Sequence, residues 1–394
     1  MTPIFDVLIT GAGPAGSACA ARLAERGFTV ALVERSEPGR PRVCGGFLGP
    51  EFEDWMRVWG WGSELDRLTK SPVHQVQVSG SGPRLVRTGL PRSGGYAVDR
   101  GIFDRWVADL AVRKGARLWT GAVVESAERD ADKADGLWTA RLRTGNEVIR
   151  ARHRVDATGR RPAAAGKRQI FFACKAVYRG VTGLEDAVAL HFIERGHVGL
   201  NPVNAEETTL CLCVDGRYLR EAQGDLDRML KRFEAGNPSL QRQLAAARRT
   251  GPWQTCQAEP DGGPVFYRDG QFHIGDALSM VNPVIGGGIP IAMQSGVLLA
   301  DLLLSRDPAL QVERTGAAAA AAAPASEVEI ARVFEREWRE AFSKKFSFGH
   351  WLGAAERSTF ASKAVMGALG MAPALLRPLV RMSRPVPSAA GAAR

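Results

Sequence analysis

The sequence predicts an α/β protein, in which a parallel-sheet nucleotide-binding domain is interrupted by an antiparallel β-sheet and followed by helices. Three observations predict this fold class. A strand, a glycine-rich turn, a helix and a second strand follow one another over residues 5–34. A second strand–turn–helix pattern occupies residues 271–305. Between these ends lie two segments, 71–96 and 168–265, in which apolar and polar residues alternate. Such alternation is typical of antiparallel strands with one buried face.

The first pattern has the spacing of a dinucleotide site. A buried strand over residues 7–10 runs into Gly11-x-Gly13-x-x-Gly16, which opens an alanine-rich helix ending near Arg26. Gly11 permits a tight turn, Gly13 lets the backbone approach a pyrophosphate, and Gly16 permits close helix–strand packing. The free N–H groups at the start of the helix favour phosphate.

The next strand, Val30–Val33, ends at an acid. Glu34 stands 18 residues beyond Gly16, where a carboxylate can accept hydrogen bonds from ribose hydroxyls. Strand, glycine loop, helix and acid together make the dinucleotide prediction specific.

The second pattern indicates which dinucleotide it is. A short strand over residues 272–274 precedes Gly275 and Asp276, and a helix begins near Gly288. An Asp after a strand can bind a ribityl hydroxyl, and the helix dipole favours negative charge on a reduced flavin. The alternative is an ordinary strand–turn–helix in which Asp276 caps the helix.

These motifs, with Arg100 in "VDRGIFDRWV" and "VDATGR" at 155–160, resemble the FAD-dependent superfamily of p-hydroxybenzoate hydroxylase, geranylgeranyl reductase and the flavin-dependent halogenases. The resemblance spans residues 1 to about 305. It implies a Rossmann-like FAD-binding domain of the glutathione-reductase type, a substrate-binding β-sheet domain and a C-terminal helical segment. The implied divisions are 1–70, 97–167 and 266–310 for FAD, 71–96 and 168–265 for substrate, 311–327 as an alanine-rich linker, and 328–394 as a basic helical segment.

The resemblance also implies which residues hold FAD. Arg100 is expected against the phosphate or ribityl chain, Asp276 at the ribityl–pyrophosphate region, and residues 286–289 along the pyrimidine edge of the ring. The full set implied is Gly11, Gly13, Ala15, Gly16, Glu34, Arg35, Arg42, Cys44, Gly45, Arg100, Val124, Asp156, Gly159, Gly275, Asp276, Pro283, Gly286, Gly287, Gly288 and Ile289.

The electron donor has no domain of its own. "GSGPRL" at 80–85 lies between short alternating runs and predicts a hairpin turn, not a second nucleotide loop. We therefore expect NAD(P)H to dock transiently on the flavin domain, or a partner reductase to supply the electrons.

Three reactions fit a flavin beside a sheet-lined pocket: oxygenation through a flavin C4a-hydroperoxide, hydride delivery to a carbon–carbon double bond, and generation of hypohalous acid. "RVCGGFLGP" at 42–50 resembles the geranylgeranyl reductases, yet "GHVGLNP" at 196–202 keeps only the proline of their Tyr-x-Trp-x-Phe-Pro motif. "WMRVWGWG" does not reproduce the WxWxIP motif of halogenases, and residues 71–90 contain no lysine. "VDATGRRP" stands where aromatic hydroxylases carry an Asp-Gly motif.

The favoured prediction is a monooxygenase that hydroxylates or epoxidises a bulky aromatic or lipophilic small molecule, free or carrier-bound, in secondary metabolism. A flavin ene reductase of an isoprenoid or polyene chain is the alternative. A halogenase and a non-catalytic flavin-binding protein are less favoured. The catalytic candidates are His197 and Asn201, followed by His191. A histidine could deprotonate a phenol or orient a hydroxyl, or could simply be hydrogen-bonded within the sheet.

The cysteines exclude other chemistry. Six are scattered along 394 residues without a CxxC pair, so we expect no metal site and no disulfide framework. Cys211 and Cys213 would point to one side of a strand as packing residues. Cys44, beside Gly45 and Gly46, is expected to lie against the flavin ring as a small, weakly polar wall.

The ends of the chain bear on location. "MTPIFDVLIT" runs directly into a strand without a basic leader, so we expect a cytoplasmic protein. The segment from Lys344 onward contains eight basic residues and a single acidic one, Glu356. "MGALGMAPALLRPLVRMSRP" would suit a helix at an anionic membrane surface, over an apolar pocket, or in solvent. No nucleic-acid motif accompanies the charge.

Residues 280–300 carry no charge, but their prolines and glycines predict a loop entering a buried helix.

Overall fold

The computed structural model describes residues 3–91, 94–130, 136–143, 147–160, 171–258, 263–306, 326–358, 360 and 364. In chain order its strands are β1 (Ile4–Thr10), β2 (Val30–Val33), β3 (Phe47–Leu48), β4 (Ser71–Val73), β5 (Gln75–Ser79), β6 (Leu85–Gly89), β7 (Gly95–Ala97), β8 (Arg117–Trp119), β9 (Val124–Arg129), β10 (Trp138–Leu142), β11 (Val148–Asp156), β12 (Phe171–Arg179), β13 (Ala187–Ile193), β14 (Gly196–Pro202), β15 (Glu207–Asp215), β16 (Arg248–Arg249), β17 (Gln254–Gln257), β18 (Tyr267–Arg268) and β19 (Gln271–His273). The α-helices are α1 (Pro14–Glu25), α2 (Glu51–Val58), α3 (Arg100–Arg113), α4 (Gly216–Glu221), α5 (Leu226–Gly236), α6 (Pro238–Leu244), α7 (Gly288–Arg306) and α8 (Glu327–Arg357).

The first sheet carries the nucleotide-binding motif. Its strand order is β18-β19-β11-β1-β2-β8, and β10 and β9 extend it from β11. β1 pairs in parallel with both β11 and β2, and all four residues of β2 are buried. Continuous apolar strands are expected where helices cover both faces of a parallel sheet. The predicted α/β class with a Rossmann-like domain is confirmed.

Helices α1 and α7 pack against each other beside this sheet, and α3 packs against α1. Gly13 is the N-cap of α1 and Pro14 is its first residue, a position where the missing N–H of proline costs nothing. Gly288–Ser305 within α7 is the one described helix long and apolar enough to cross a membrane. Most of it is buried within the protein, as the sequence predicted for this segment.

The second sheet has the order β16-β12-β15-β14-β13-β5-β6, with β17 beside β12. β5 and β6 form the hairpin predicted at "GSGPRL", since Ser79 pairs with Leu85. The sheet is antiparallel except that β13 runs parallel to β5. The expectation of a wholly antiparallel sheet is therefore wrong at this pair. The reason is that the chain leaves after β6, completes much of the first sheet, and re-enters at β12.

The second sheet has two different faces. One face packs against α4, α5 and α6, through residues such as Cys174, Leu212 and Phe233. The other face turns toward the first sheet and borders a cavity, described below. Because side chains alternate along each strand, strands such as β13, β14 and β15 contribute to both environments.

The 31-residue helix α8 runs between the two sheets. Ser326 and Glu329 form a reciprocal capping box at its start. Glu327 then contacts His153 of β11, and Glu356 contacts His197 of β14. The alanine-rich linker predicted at 311–327 lies almost wholly outside the described residues, as does "MGALGMAPALLRPLVRMSRP" with the membrane contact proposed for it.

Candidate active site

A cavity of about 760 Å³ lies between the two sheets, closed on one side by α8. It collects predicted residues from eight separate stretches of the chain. The predicted cofactor and catalytic residues at its surface are Gly13, Ala15, Glu34, Arg35, Arg42, Cys44, Gly45, Arg100, Gly159, His197, Asn201, Asp276, Pro283, Gly286, Gly287, Gly288 and Ile289.

Five other predicted cofactor residues do not line the cavity: Gly11, Gly16, Val124, Asp156 and Gly275. Gly11 has φ +105°, and a Cβ there would lie 2.4 Å from the carbonyl oxygen of Ala157. A Cβ on Gly16 would lie 2.0 Å from the oxygen of Gly11. Both glycines therefore shape the turn. The N–H of Gly275 donates to Ser295 Oγ at 2.8 Å, which fixes the start of the Asp276 turn.

Val124 and Asp156 have packing and turn-forming contacts instead. Val124 begins β9 and packs on the apolar cluster that includes Phe5 on the other side of the first sheet. Asp156 accepts hydrogen bonds from the N–H and hydroxyl of Thr158 at 2.9 and 2.6 Å. Burial alone would raise the pKa of Asp156, but bonds from His273 and Thr158 outweigh it and lower that pKa. Asp156 thus holds the turn that presents Gly159.

Glu34 and the start of α1 form the nucleotide end of the cavity. The buried Glu34 carboxylate accepts a hydrogen bond from the Ala12 N–H at 2.9 Å and one from Ser36 Oγ at 3.0 Å. A carboxylate has about four acceptor positions, so Glu34 retains capacity for a ligand hydroxyl. A Cβ built on Gly13 meets nothing within 4 Å, so the space before the α1 N-terminus is open.

Arg100 is held by a partner that we did not predict. Its Nε and one Nη donate to the two oxygens of Asp104 at 2.9 and 3.0 Å, and Arg42 Nε lies 3.7 Å from the same carboxylate. Burial would lower the pKa of Arg100, but the Asp104 charge raises it. The spacing of four between Arg100 and Asp104 on a predicted helix was the signal that could have identified this pair.

Asp276, in the turn that follows β19, also lines the cavity. Burial raises the pKa of its carboxyl, and the charges of Arg160 and Arg100 oppose that rise. A carboxyl in this position can accept hydrogen bonds from sugar or ribityl hydroxyls.

These residues fit FAD. Gly13, Gly45 and Gly159 stand on three different loops, and an added Cβ at each meets nothing within 4 Å. Because these glycines have no side chain, a flat or chain-like ligand in the cavity can approach their backbone closely. A helix N-terminus can bind phosphate, and the carboxylates of Glu34 and Asp276 can accept hydrogen bonds from ribose and ribityl hydroxyls.

The Cys-Gly-Gly loop is tied to the second sheet. Asn201 Nδ2 donates to the carbonyl oxygen of Gly45 at 2.7 Å, and Cys44 Sγ accepts from the Gly46 N–H at 3.4 Å. Asn201, expected as a catalytic candidate, therefore uses its donor to position the loop. Among the described residues no group of three potential ligands could hold a metal ion.

His197 is the central polar residue of the cavity wall formed by the second sheet, which we call the substrate wall. Its Nδ1 lies 2.5 Å from Oε1 of Glu356, and both side chains are buried. Glu356 arrives from the end of α8, and the sequence prediction did not include it. Glu356 could have been identified from the sequence because it is the single acidic residue in a basic segment, and a lone carboxylate there suggests a buried partner.

His191 is not a cavity residue. Its ring nitrogen Nδ1 lies 2.7 Å from Ser79 Oγ, which also donates to Asn237 Oδ1 at 3.0 Å. Leu190 and Phe192 line the cavity, so strand alternation turns His191 to the helix-covered face. Burial lowers the pKa of His191 to about 4, which keeps the ring neutral. The pocket role considered for His191 is therefore wrong, and it is a structural histidine.

The cavity face of the second sheet is divided in two. Strands β5 and β13 contribute an apolar half: Val76, Val78, Val188, Leu190 and Phe192. Strands β12, β15 and β17 contribute Ala173 and three thiols: Cys211, Cys213 and Cys256. β14 lies at the boundary and supplies His197, Gly199 and Asn201. Cys211 and Cys213 thus share one face of their strand, in agreement with the alternation predicted for "TTLCLCVD".

Comparison with known proteins assigns the nucleotide-binding part. Residues 6–164 match the family model described as FAD dependent oxidoreductase. Over these residues the chain is similar to FAD-dependent oxidoreductases. The resemblance stated from the motifs is confirmed.

Relatives of this chain carry different activities. The 1H-pyrrole-2-carbonyl-[peptidyl-carrier protein] brominase of Pseudoalteromonas luteoviolacea is 26% identical over 325 residues, which cover 76% of this chain and 77% of the brominase. The digeranylgeranylglycerophospholipid reductase of Methanocaldococcus jannaschii is 26% identical over 318 residues, 77% of each chain. A solved flavin-dependent brominase superposes with a TM-score of 0.76 at 21% identity, covering 97% of this chain and 93% of its own. That superposition shows the shared fold.

Proposed function

We propose that this FAD-dependent oxidoreductase is a monooxygenase that hydroxylates a flat aromatic substrate bearing an ionisable hydroxyl or ring N–H. The observation that carries the proposal is the buried His197–Glu356 pair in the cavity wall. Overall, substrate C–H, O₂, NAD(P)H and H⁺ give C–OH, H₂O and NAD(P)⁺. One oxygen atom enters the product and the other leaves as water.

His197 acts as the base. Because Nδ1 faces the Glu356 carboxylate, the ring is held in one orientation and Nε2 remains for the substrate. A positioned general base contributes about 10²- to 10⁴-fold in rate. Removal of the substrate proton places negative charge on the ring, which activates it toward an electrophilic oxygen. A hydrocarbon chain has no such proton, so the pair favours an aromatic substrate.

The apolar half of the wall holds the ring. Leu190, Phe192 and Val78 give it a flat, water-poor surface. From α8, Phe348 and Trp351 stack on each other with ring centroids 5.9 Å apart and line the opposite side. Exclusion of water protects the reaction from unproductive side reactions.

When bound, FAD supplies two electrons to O₂ and so provides the electrophilic oxygen. The residues of this chain position it. Asn201 positions the Cys-Gly-Gly loop by donating to the Gly45 carbonyl oxygen. Arg100 and Asp104 form an ion pair in the first turn of α3. Glu34 accepts a hydrogen bond from the ribose. We propose NAD(P)H, or a partner reductase, as the electron source.

Ene reduction of an isoprenoid or polyene chain is the second candidate. It is favoured by the continuous apolar strip of β5 and β13, which suits a hydrocarbon chain. The digeranylgeranylglycerophospholipid reductase of Methanocaldococcus jannaschii is a relative whose name describes reduction of such a lipid. Halogenation is named for another relative, although no lysine lines the cavity among the described residues.

The test is product analysis under controlled gas and halide. FAD-loaded protein would be incubated with NADPH and a panel of phenols, indoles, pyrroles and geranylgeranyl lipids, with and without O₂ and bromide. Oxygen-dependent products 16 mass units heavier from ring substrates support monooxygenation. Products two mass units heavier, formed without O₂, would establish the reductase instead. Brominated products formed only with bromide would overturn hydroxylation in favour of halogenation.

A further inference from the structure

The C-terminal part of α8 carries two glycines on its buried face. The buried stripe of the helix runs through Phe342, Phe346, Gly349, Gly353 and Glu356, spaced three or four residues apart. This spacing places all five on one side of the helix. Glycine is the least favourable helix residue after proline. Two glycines on a packed face therefore indicate that the helix backbone approaches a neighbour closely.

That neighbour is the turn formed by residues 282–285. A Cβ added to Gly353 would lie 2.1 Å from Asn282 Nδ2 and 3.1 Å from Asn282 Cγ. A Cβ added to Gly349 would lie 3.2 Å from Ile285 Cδ1 and 3.5 Å from Asn282 Cβ. Both glycines therefore let the backbone of α8 rest directly on the 282–285 turn.

Asn282 is held in place by the turn itself. Its Oδ1 accepts a hydrogen bond from the Val284 N–H at 3.1 Å, as the N-cap of the short helical turn Pro283–Ile285. Val284 and Ile285 line the cavity, and so does the glycine run 286–288 that follows, where we expect the flavin ring. The Asn282 amide thus shapes the cavity wall with its oxygen, while its nitrogen lies against Gly353.

The same part of α8 reaches the substrate wall. Glu356 follows Gly353 by three residues, about 4.5 Å along the helix axis, and its Oε1 lies 2.5 Å from His197 Nδ1. A helix is stiff over so short a distance, so a displacement at Gly353 also moves the Glu356 carboxylate. Because hydrogen bonds weaken steeply with poor geometry, the contact with His197 tolerates little movement.

We propose that Gly353 and Asn282 are positioning residues, which hold Glu356, and through it His197, at a fixed distance from the 282–285 turn of the flavin site. The inference rests on the proposed function, because it concerns the base of that same reaction. It extends the site to two residues that do not themselves line the cavity.

Gly353→Ala tests the contact directly. The added methyl group has 2.1 Å where ordinary contact needs about 3.4 Å, and Asn282 is tied to the Val284 N–H, so the helix is expected to move by about 1 Å. A misplacement of that size can cost about 10²-fold in rate. We expect kcat with the best phenol of the panel to fall at least about ten-fold, with KM and the affinity for FAD near wild type. Alanine favours the helix, so the variant should fold.

A spectroscopic readout separates positioning from general destabilisation. In the wild type the Glu356 carboxylate holds the His197 proton on Nδ1, so ¹⁵N spectra of the neutral ring should show one tautomer. The His197 signals are identified by their absence in His197→Gln. Gly353→Ala should give signals averaged over both tautomers, because the ring loses its orienting partner.

Asn282→Ser provides the matched background. Serine can cap the turn through Oγ but has no Nδ2. In this background Gly353→Ala should change kcat by less than about two-fold and leave a single His197 tautomer, because the atom that the new methyl group would strike is absent. Gly236→Ala, at the end of α5 where an added Cβ meets nothing within 4 Å, is the control for the substitution itself and should behave as wild type.

An unchanged kcat and a single His197 tautomer in Gly353→Ala would overturn the proposal. A parallel loss of FAD affinity and kcat would also overturn it, since the contact would then serve the flavin site alone. Should Gly353→Ala not fold, Gly349→Ala makes a milder approach to Ile285 at 3.2 Å. It should show the same changes at smaller size, and wild-type behaviour there would count against the proposal equally.

The proposed function can fail separately. Tautomer averaging in Gly353→Ala, in a protein whose wild type hydroxylates no ring substrate, would contradict the hydroxylase assignment and leave the positioning contact standing.

Discussion

His197 and Glu356 stand 159 residues apart in the sequence, yet Nδ1 of one lies 2.5 Å from Oε1 of the other. The contact joins β14 of the substrate wall to the end of α8. It places a basic nitrogen in a wall that is otherwise made of apolar side chains, thiols and an amide.

Removal of either partner should slow turnover without releasing the flavin. We expect His197→Gln to lower kcat by about 10²- to 10⁴-fold, since it removes the base. Glu356→Gln should cost less, because the imidazole remains but loses its orienting carboxylate. Steady-state kinetics with the best phenol, together with flavin absorbance, would check both values. An unchanged kcat in His197→Gln would remove the histidine from the mechanism.

Glu34→Gln should weaken FAD binding. The substitution replaces a charged acceptor at the Ala12 N–H and the proposed sugar contact, and a hydrogen bond to a charged group contributes about 1.5–3 kcal/mol. A loss of affinity of about ten-fold or more is therefore expected, measured by quenching of FAD fluorescence. Glu37→Gln, at an exposed side chain that accepts a hydrogen bond from Thr120, is the control and should bind FAD normally. Equal affinities for all three proteins would contradict the nucleotide assignment.

Gly199→Phe should close the substrate site while Gly199→Ala should not. A Cβ at this position makes only ordinary contacts, at 3.7 and 3.9 Å, so alanine fits the strand. A phenyl ring would occupy the cavity directly in front of β14. We expect normal FAD content in both variants, and at least about a ten-fold increase in KM for aromatic substrates in the phenylalanine variant. Kinetics across a series of ring sizes would check it. A phenylalanine variant that keeps wild-type KM would place the ring elsewhere.

Cys44→Ser should keep FAD and most activity. The half-exposed thiol accepts a weak hydrogen bond from the Gly46 N–H and also interacts with Arg100, and a hydroxyl can accept both contacts. The loop is further held by Asn201. Flavin absorbance and kcat would be compared with wild type, and a decrease smaller than ten-fold is expected. Total loss of turnover with FAD retained would instead show that the thiol takes a direct part in the reaction.

The start of α8 predicts a dependence of stability on pH. Glu327 accepts from Tyr267 at 2.7 Å and from Arg129 at 2.5 Å, and its other oxygen lies 2.7 Å from His153 Nδ1. Burial alone would raise the pKa of Glu327, but these partners lower it below the ordinary value of 4.5. A carboxylate with a lowered folded-state pKa stabilises the fold above its unfolded pKa, and the contribution is lost as pH falls through the folded value.

Glu327→Gln should therefore cost about 3 kcal/mol at pH 7, and less as pH falls below 4.5, the ordinary value. Urea unfolding of wild type and variant at a series of pH values would measure the difference in the free energy of unfolding. Glu335→Gln, farther along α8 at an exposed ion pair with Arg339, should change it by less than about 0.5 kcal/mol. A Glu327→Gln cost that stays constant with pH would contradict the assignment.

The nucleotide-binding half could be predicted because its determinants are local. Gly11, Gly13 and Gly16 occupy fixed offsets between an apolar strand and a helix, so the turn can be recognised from the sequence alone. The strand Val30–Val33 and the helix start at Gly288 match the structure for the same reason.

The substrate wall could be predicted only in part. The alternation of apolar and polar residues identified its strands and the shared face of Cys211 and Cys213. Because this alternation is the same in parallel and antiparallel pairs, it could not predict that β13 runs parallel to β5. Which strand lies beside which is set by long-range pairing, and the contact of Glu356 with His197 depends on it. To predict that the His191 side chain points away from the cavity, one would have to know the register of β13.

The origin of the oxygen atom in the product tests directly whether the protein is a monooxygenase. Wild-type protein, reduced by NADPH in the absence of air, would be mixed with an aromatic substrate and ¹⁸O₂, and the product examined by mass spectrometry. We predict one ¹⁸O atom per product molecule, with the yield strongly reduced in His197→Gln at equal FAD content. Product that carries oxygen from water, or is formed equally well without O₂, would contradict it.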